Sequence, residues 1–159
     1  MPADHPRPPV DPDVDHLASA RPLHLRPRYL LVVCVGGSAG TLARWCLVER
    51  LATRDGWPVG TLTANLLGAF CLGLLLEMLL RLAPDKGRPR LARLFFGTGF
   101  LGAFTTMSAL ATETVLLADA ARPGLAAGYL AISLLGGVLL AWLGMLSGTR
   151  LAAQRVMGS

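Results

Sequence analysis

The stretch GTGFLGAFTTMS, residues 97–108, supports two incompatible readings. Gly97, Gly99 and Gly102 spell G-x-G-x-x-G, and Asp119 follows about 20 residues later, where a dinucleotide-binding fold places its ribose acid. That fingerprint needs a buried strand before it, a soluble helix after it and a parallel sheet of βαβ units. Here the glycines lie inside the apolar run LFFGTGFLGAFTTMSALATETVLLA, residues 94–118, and no βαβ pattern occurs elsewhere. Glycines grouped within a membrane-length helix instead permit close helix packing or an irregular break. A break at membrane depth exposes carbonyls, and it is tolerated only where they are buried in protein or face a cavity or ion.

The rest of the chain favours the membrane reading. Its 159 residues are 53% apolar and only 16% charged, against about 25% charged in soluble domains, and the mean hydropathy is +0.52. Residues 1–28 hold seven of the eleven prolines and no apolar run, so they read as a disordered tail and not as a signal peptide. Three further apolar segments cover residues 29–48, 58–80 and 124–148. Each segment has about 20–25 residues, enough to cross a hydrocarbon core of ~30 Å as a helix. Short connections rich in Pro, Gly and charge separate them. The expected fold is an all-α membrane protein with four transmembrane helices over residues 29–148, both termini on one side, and a short C-terminal tail at 149–159. Cys34, Cys46 and Cys71 fit no zinc or disulfide spacing and read as small apolar packing residues.

Polar residues inside such segments are functional candidates because they are costly without partners. Arg44, well inside the first segment, reads either as a snorkelling side chain or as an electropositive entrance for an anion. The Asn65 amide in the second either donates to an anion or cross-links helices. Glu77, near that segment's end, reads as interfacial. Thr105, Thr106 and Ser108 follow the glycine run. Their hydroxyls either back-bond to the helix or form a polar path. Glu113 is placed roughly on the face of Thr106, seven residues away. Tyr129 and Ser133, at i and i+4, share a face of the fourth helix and are spaced to line a polar track. Phe104 and Met107, at i and i+3, are likewise expected on one face, as packing or with a ring edge turned to an anion. Gly36, Gly37 and Gly40, and Gly136 and Gly137, read as sites of close helix approach.

Together, GGSAGTLARW on the first helix, GTLTANLLGAF on the second and GTGFLGAFTTMSALATE on the third resemble the CrcB/Fluc family of fluoride channels, with YLAISLLG a weaker match on the fourth. The resemblance implies an antiparallel dimer of four-helix subunits with two fluoride pores. It implies a third helix broken at the glycine run, where the carbonyls of Gly99 and Gly102 hold a structural Na⁺ that is shared by the subunits and not transported. It carries over Asn65 as a fluoride donor, Phe104 as a pore ring, Thr106, Tyr129 and Ser133 as polar-track positions, Glu113 as an acid near the same path and Arg44 as a vestibule arginine. Met107 departs from the family, which usually has a second pore phenylalanine there. A methionine offers weakly positive C–H groups but also an electron-rich sulfur.

Charge placement adds a reading specific to this chain. Eleven Lys/Arg residues lie in the tail, the second-to-third connection and the C-terminus, against Arg50, Arg54 and Arg122 on the other side. The positive-inside rule then places both termini in the cytoplasm of a plasma-membrane protein. Such a bias opposes the two-way insertion that an antiparallel homodimer needs, so an oppositely oriented paralogue is the expected partner. Passive fluoride efflux is the expected function. HF enters from acid surroundings, dissociates inside, and the trapped anion leaves through a narrow path. No nucleophile–base constellation marks an enzyme. The alternatives are a non-conducting subunit of such a channel, or a small four-helix cation or multidrug transporter. Those transporters usually carry an acid in the first helix, which this chain lacks.

Overall fold

The computed structural model describes residues 26–51, 53, 55–82 and 87–157; the expectation for the N-terminal tail lies almost wholly outside them. Helix α1 spans Pro27–Arg50 and begins on a proline whose missing N–H costs nothing in a first turn. Helix α2 spans Val59–Leu82. The third span is composite: α3 at Gly87–Ala92, a π-helical stretch at Arg93–Leu101, a single turn α4 at Gly102–Phe104, and α5 at Met107–Asp119. Helix α6 runs from Pro123 to Met157. It therefore continues through most of the residues expected as a C-terminal tail. Four segments, Pro27–Arg50, Val59–Arg81, Gly87–Asp119 and Pro123–Gln154, are long and apolar enough to cross a membrane.

The helices pack in two main pairs. The most extensive seam joins α2 to α6, and the next joins α1 to the π-helical stretch. In the first, a Cβ on Gly73 would run into the Ala141 backbone, and one on Gly144 into the backbone of Phe70. In the second, Gly36 and Gly40 lie against the carbonyl oxygens of Phe95 and Phe100. The close approach expected at Gly36 and Gly40 is thus present. On the fourth helix the expectation holds at Gly136, where a Cβ would come 3.1 Å from Leu66 Cδ2, and not at Gly137, which meets nothing within 4 Å; the approaches to backbone lie further on, at Gly144 and Gly148.

Both connections at one end of the bundle are tied together. Asp55 and Gly56 turn the chain with φ of 51° and 86°. Arg122 Nη2 donates to the Asp55 carbonyl at 2.8 Å, and its guanidinium fills the space beside Gly56 where a side chain would sit. The α1–α2 and α5–α6 connections therefore share one end, and the start of α1 and the end of α6 lie at the other. Two cysteines depart from the packing expectation: Cys34 and Cys46 are exposed on the outer surface of the helices, and only Cys71 is partly covered.

Candidate functional site

The third span is interrupted, three residues beyond the last glycine of its glycine run. Gly97 and Gly99 wind within the π-helical stretch, and Gly102 caps it, its N–H reaching the carbonyls of both. The extended residues are Thr105 (φ −84°, ψ 154°) and Thr106 (φ −150°, ψ 120°). A regular α-helix would carry the Thr106 N–H back to the Gly102 carbonyl. Here that N–H donates to Asn65 Oδ1 at 2.7 Å, while Asn65 Nδ2 donates to the Thr106 carbonyl at 3.0 Å. One side-chain amide from α2 thus takes both backbone groups of one residue, as a neighbouring strand would. Thr106 then starts α5 anew: its hydroxyl caps the helix by accepting from the Ala109 N–H at 3.2 Å.

The interruption separates two residues expected on one face. Phe104, before it, is 7% exposed and stacks on Phe100 with ring centroids 5.8 Å apart. Met107, after it, is 68% exposed. The i, i+3 rule holds only within a continuous helix, and two extended residues reset the phase.

Two hollows meet at Thr106. One, of about 280 Å³, is lined by Asn65, Thr106, Met107, Leu110 and Ser133. Ser133 is 6% exposed, and its buried Oγ has no hydrogen-bond partner among the described residues. The other hollow, of about 550 Å³, is lined by Arg44, Thr61, Thr106, Ser108 and Glu113. Glu113 accepts from Thr61 Oγ1 at 2.7 Å and from the hydroxyl of Tyr129, which is fully buried. Those bonds join α2, α5 and α6 through one carboxylate. Ser108 pairs with the Thr106 hydroxyl at 3.0 Å, whereas Thr105 back-bonds to the Leu101 carbonyl at 3.0 Å. Arg44, Asn65, Thr106, Met107, Glu113 and Ser133 therefore gather around the break. Tyr129 reaches it through Glu113, and Phe104 lines neither hollow. Glu77 lies apart, pairing with Arg81 and accepting from Thr149 Oγ1 at 3.0 Å.

Thr61 was missed by reading the sequence. Its one available signal was its position four residues before Asn65, on the same face of α2.

The two carbonyls expected at a Na⁺ site differ. Gly102 is exposed, and its carbonyl has lost the Thr106 N–H to Asn65, which leaves an oxygen of the kind a hard cation takes. Gly99 is buried against α1, with a Cβ position 2.8 Å from the Val33 carbonyl, and its own carbonyl accepts from Gly102. The donor set thus fits at Gly102 and not at Gly99.

The comparisons with known proteins agree with this architecture. The family profile described as "CrcB-like protein, Camphor Resistance (CrcB)" matches residues 31–145, which include the break and both hollows. The chain is 47% identical over 121 residues to fluoride-specific ion channel FluC 2 of Moorella thermoacetica, covering 75% of this chain and 94% of that protein. It is 44% identical over 121 residues to FluC 1 of Cutibacterium acnes, covering 76% and 85%. Against FluC 2 of Leifsonia xyli subsp. xyli it is 42% identical over 137 residues, covering 86% and 94%. With its four membrane-length helices and an interrupted third span, this chain belongs to the CrcB family.

Proposed function

We propose that this multi-pass membrane protein is a fluoride-selective channel that lets cytoplasmic fluoride leave down its gradient, and so reduces fluoride toxicity. The observation that carries the reading is the overlap of two facts. Relatives named fluoride-specific channels match three quarters of the chain, and the stretch that the family profile covers is where polar groups converge at membrane depth. An anion with a small radius needs several donors at once to replace its water. The hydroxyls of Thr106, Ser108 and Ser133, the second N–H of the Asn65 amide and the Arg44 guanidinium form such a set. Glu113 and Tyr129 hold the helices that carry it, Met107 stands at the open side, and Phe104 supports the turn before the break. The chemistry is passive transport, with no bond made or broken, and the protein is not an enzyme.

The active unit of this reading is an antiparallel dimer in the plasma membrane. Its structural Na⁺ would sit near the interrupted helices, with Gly102 the better-suited of the two glycines and further oxygens supplied by the second subunit. The asymmetric Lys/Arg distribution favours cytoplasmic termini and a partner chain of opposite orientation. The exposed Met107 gives that heterodimer a second motive, because a partner can supply ring edges where this chain has none. Reconstitution in liposomes, alone and with such a paralogue, tests the proposal with a fluoride electrode and a chloride control. Fluoride efflux without chloride efflux is expected. Efflux from this chain alone ends the heterodimer requirement, and no efflux in either arrangement, with folded protein present, ends the channel reading.

A further inference from the structure

A separate cavity of about 760 Å³ lies between α1, α2 and the third span, toward the end of the bundle where α1 begins. None of the residues gathered at the break lines it. Its walls include Leu30 and Val33 of α1 and Leu72 and Leu76 of α2, and Arg90 and Arg93 lie at its charged end. Leu30 and Leu76 are 52% and 42% exposed, so the cavity opens sideways between the helices. Leu72 stands nine residues before Arg81, which places the cavity's inner part about 13 Å of helical rise below the charged end of α2.

The shape and chemistry restrict what fills it. A sideways opening in a membrane-spanning bundle faces hydrocarbon, and apolar walls give water no partners to hold it there. An acyl chain suits such walls. The two arginines three residues apart lie close together along the start of the third span, and planar guanidinium groups bind phosphate oxygens in pairs. Basic pockets between membrane helices near the interface are suited to anionic headgroups. We propose that this cavity is a binding site for an anionic phospholipid, its phosphate held by Arg90 and Arg93 and one acyl chain lying along Leu30, Val33, Leu72 and Leu76. The proposal goes beyond the channel reading and rests only on the chain spanning a membrane, so either can fail without the other.

The test is native mass spectrometry of the full-length protein released from nanodiscs of equimolar phosphatidylcholine and phosphatidylglycerol. Phosphatidylglycerol is expected to stay bound in preference to phosphatidylcholine. Arg90→Gln with Arg93→Gln is expected to cut its retention at least tenfold, since a single charge-assisted interaction is already worth about that factor. Leu76→Trp, which fills the cavity and leaves both charges in place, is expected to displace the lipid as well. Arg122→Gln, at the opposite end, is expected to change nothing. Equal retention of both lipids by the unaltered protein overturns the site, as does undiminished phosphatidylglycerol retention in Leu76→Trp. A second copy of the chain is the competing occupant. If Leu76→Trp lowers the oligomeric mass while lipid retention stays constant, the cavity is a subunit interface and the proposal is wrong. Should the double arginine variant fail to fold, Leu76→Trp and the unaltered protein still decide between these outcomes.

Discussion

The α2–α6 seam and the interrupted third span are both rich in small residues, yet they use them to opposite ends. At the seam, Gly73 and Gly144 let two regular helices approach until backbone touches backbone. In the third span, Gly97, Gly99 and Gly102 accompany a widened winding, and the helix gives way at Thr105 and Thr106, neither of them glycine. The difference lies in an external competitor. Across the seam Thr149 bonds Glu77 side chain to side chain and leaves the helix ladders alone, whereas Asn65 presents an acceptor and a donor to the Thr106 backbone. Glycine makes a helix deformable, but a break needs a partner for the groups it frees.

Substitutions at four positions sharpen or break that contrast. The largest effect is expected at the seam: Gly144→Leu drives a side chain into the Phe70 backbone, an overpacking that costs about 3 kcal/mol or more because backbone cannot rotate away. Loss of monodisperse protein in detergent would register it, and a normal yield would refute the rigid seam. Next comes Asn65→Leu, which strands the Thr106 N–H and carbonyl. A cost of ~3 kcal/mol is expected in thermal unfolding, with fluoride efflux lost. Asn65→Asp keeps the acceptor for the N–H and should fall between Leu and the native residue. If Asn65→Leu and Asn65→Asp behave alike, the amide does not maintain the break.

Tyr129→Phe removes only the donor to Glu113 and should cost about 1–2 kcal/mol in the same unfolding assay. An unchanged melting temperature would mean that Thr61 alone holds the carboxylate. The smallest effect belongs to Gly97→Ala, whose new methyl would meet only Leu75 Cδ2 at 3.8 Å. Stability should change by less than ~1 kcal/mol, since the helical preference of alanine offsets the added bulk. A severe loss there would show that the winding itself depends on that glycine.

The four spans were legible in the sequence because each rests on a property summed over many residues, length and apolarity, which no single contact overrides. Asn65, Thr106, Glu113 and Tyr129 were legible as candidates, since each is a costly polar group in an apolar segment, and the structure bonds Asn65 to Thr106 and Tyr129 to Glu113. The position of the break was not. The glycine run marked where deformation is cheap, while the group that causes it sits 41 residues earlier in the chain. The split of Phe104 from Met107 follows from the same displacement, because helical spacing was counted across two residues that are extended. Thr61 escaped notice for a different reason. A threonine in a membrane helix ordinarily bonds its own backbone, as Thr105 and Thr114 do, and only the opposing carboxylate makes this one different.

Helix α6 is 35 residues long, about 52 Å at 1.5 Å per residue, whereas the hydrocarbon it crosses is about 30 Å thick. Some 20 Å of unbroken helix is therefore left for headgroups and water, most of it at the end that carries Thr149 and Arg150. A domain fused in helical register after Met157 would inherit the direction of α6 as a stiff stalk, and its orientation would report the tilt of the channel subunit in the bilayer.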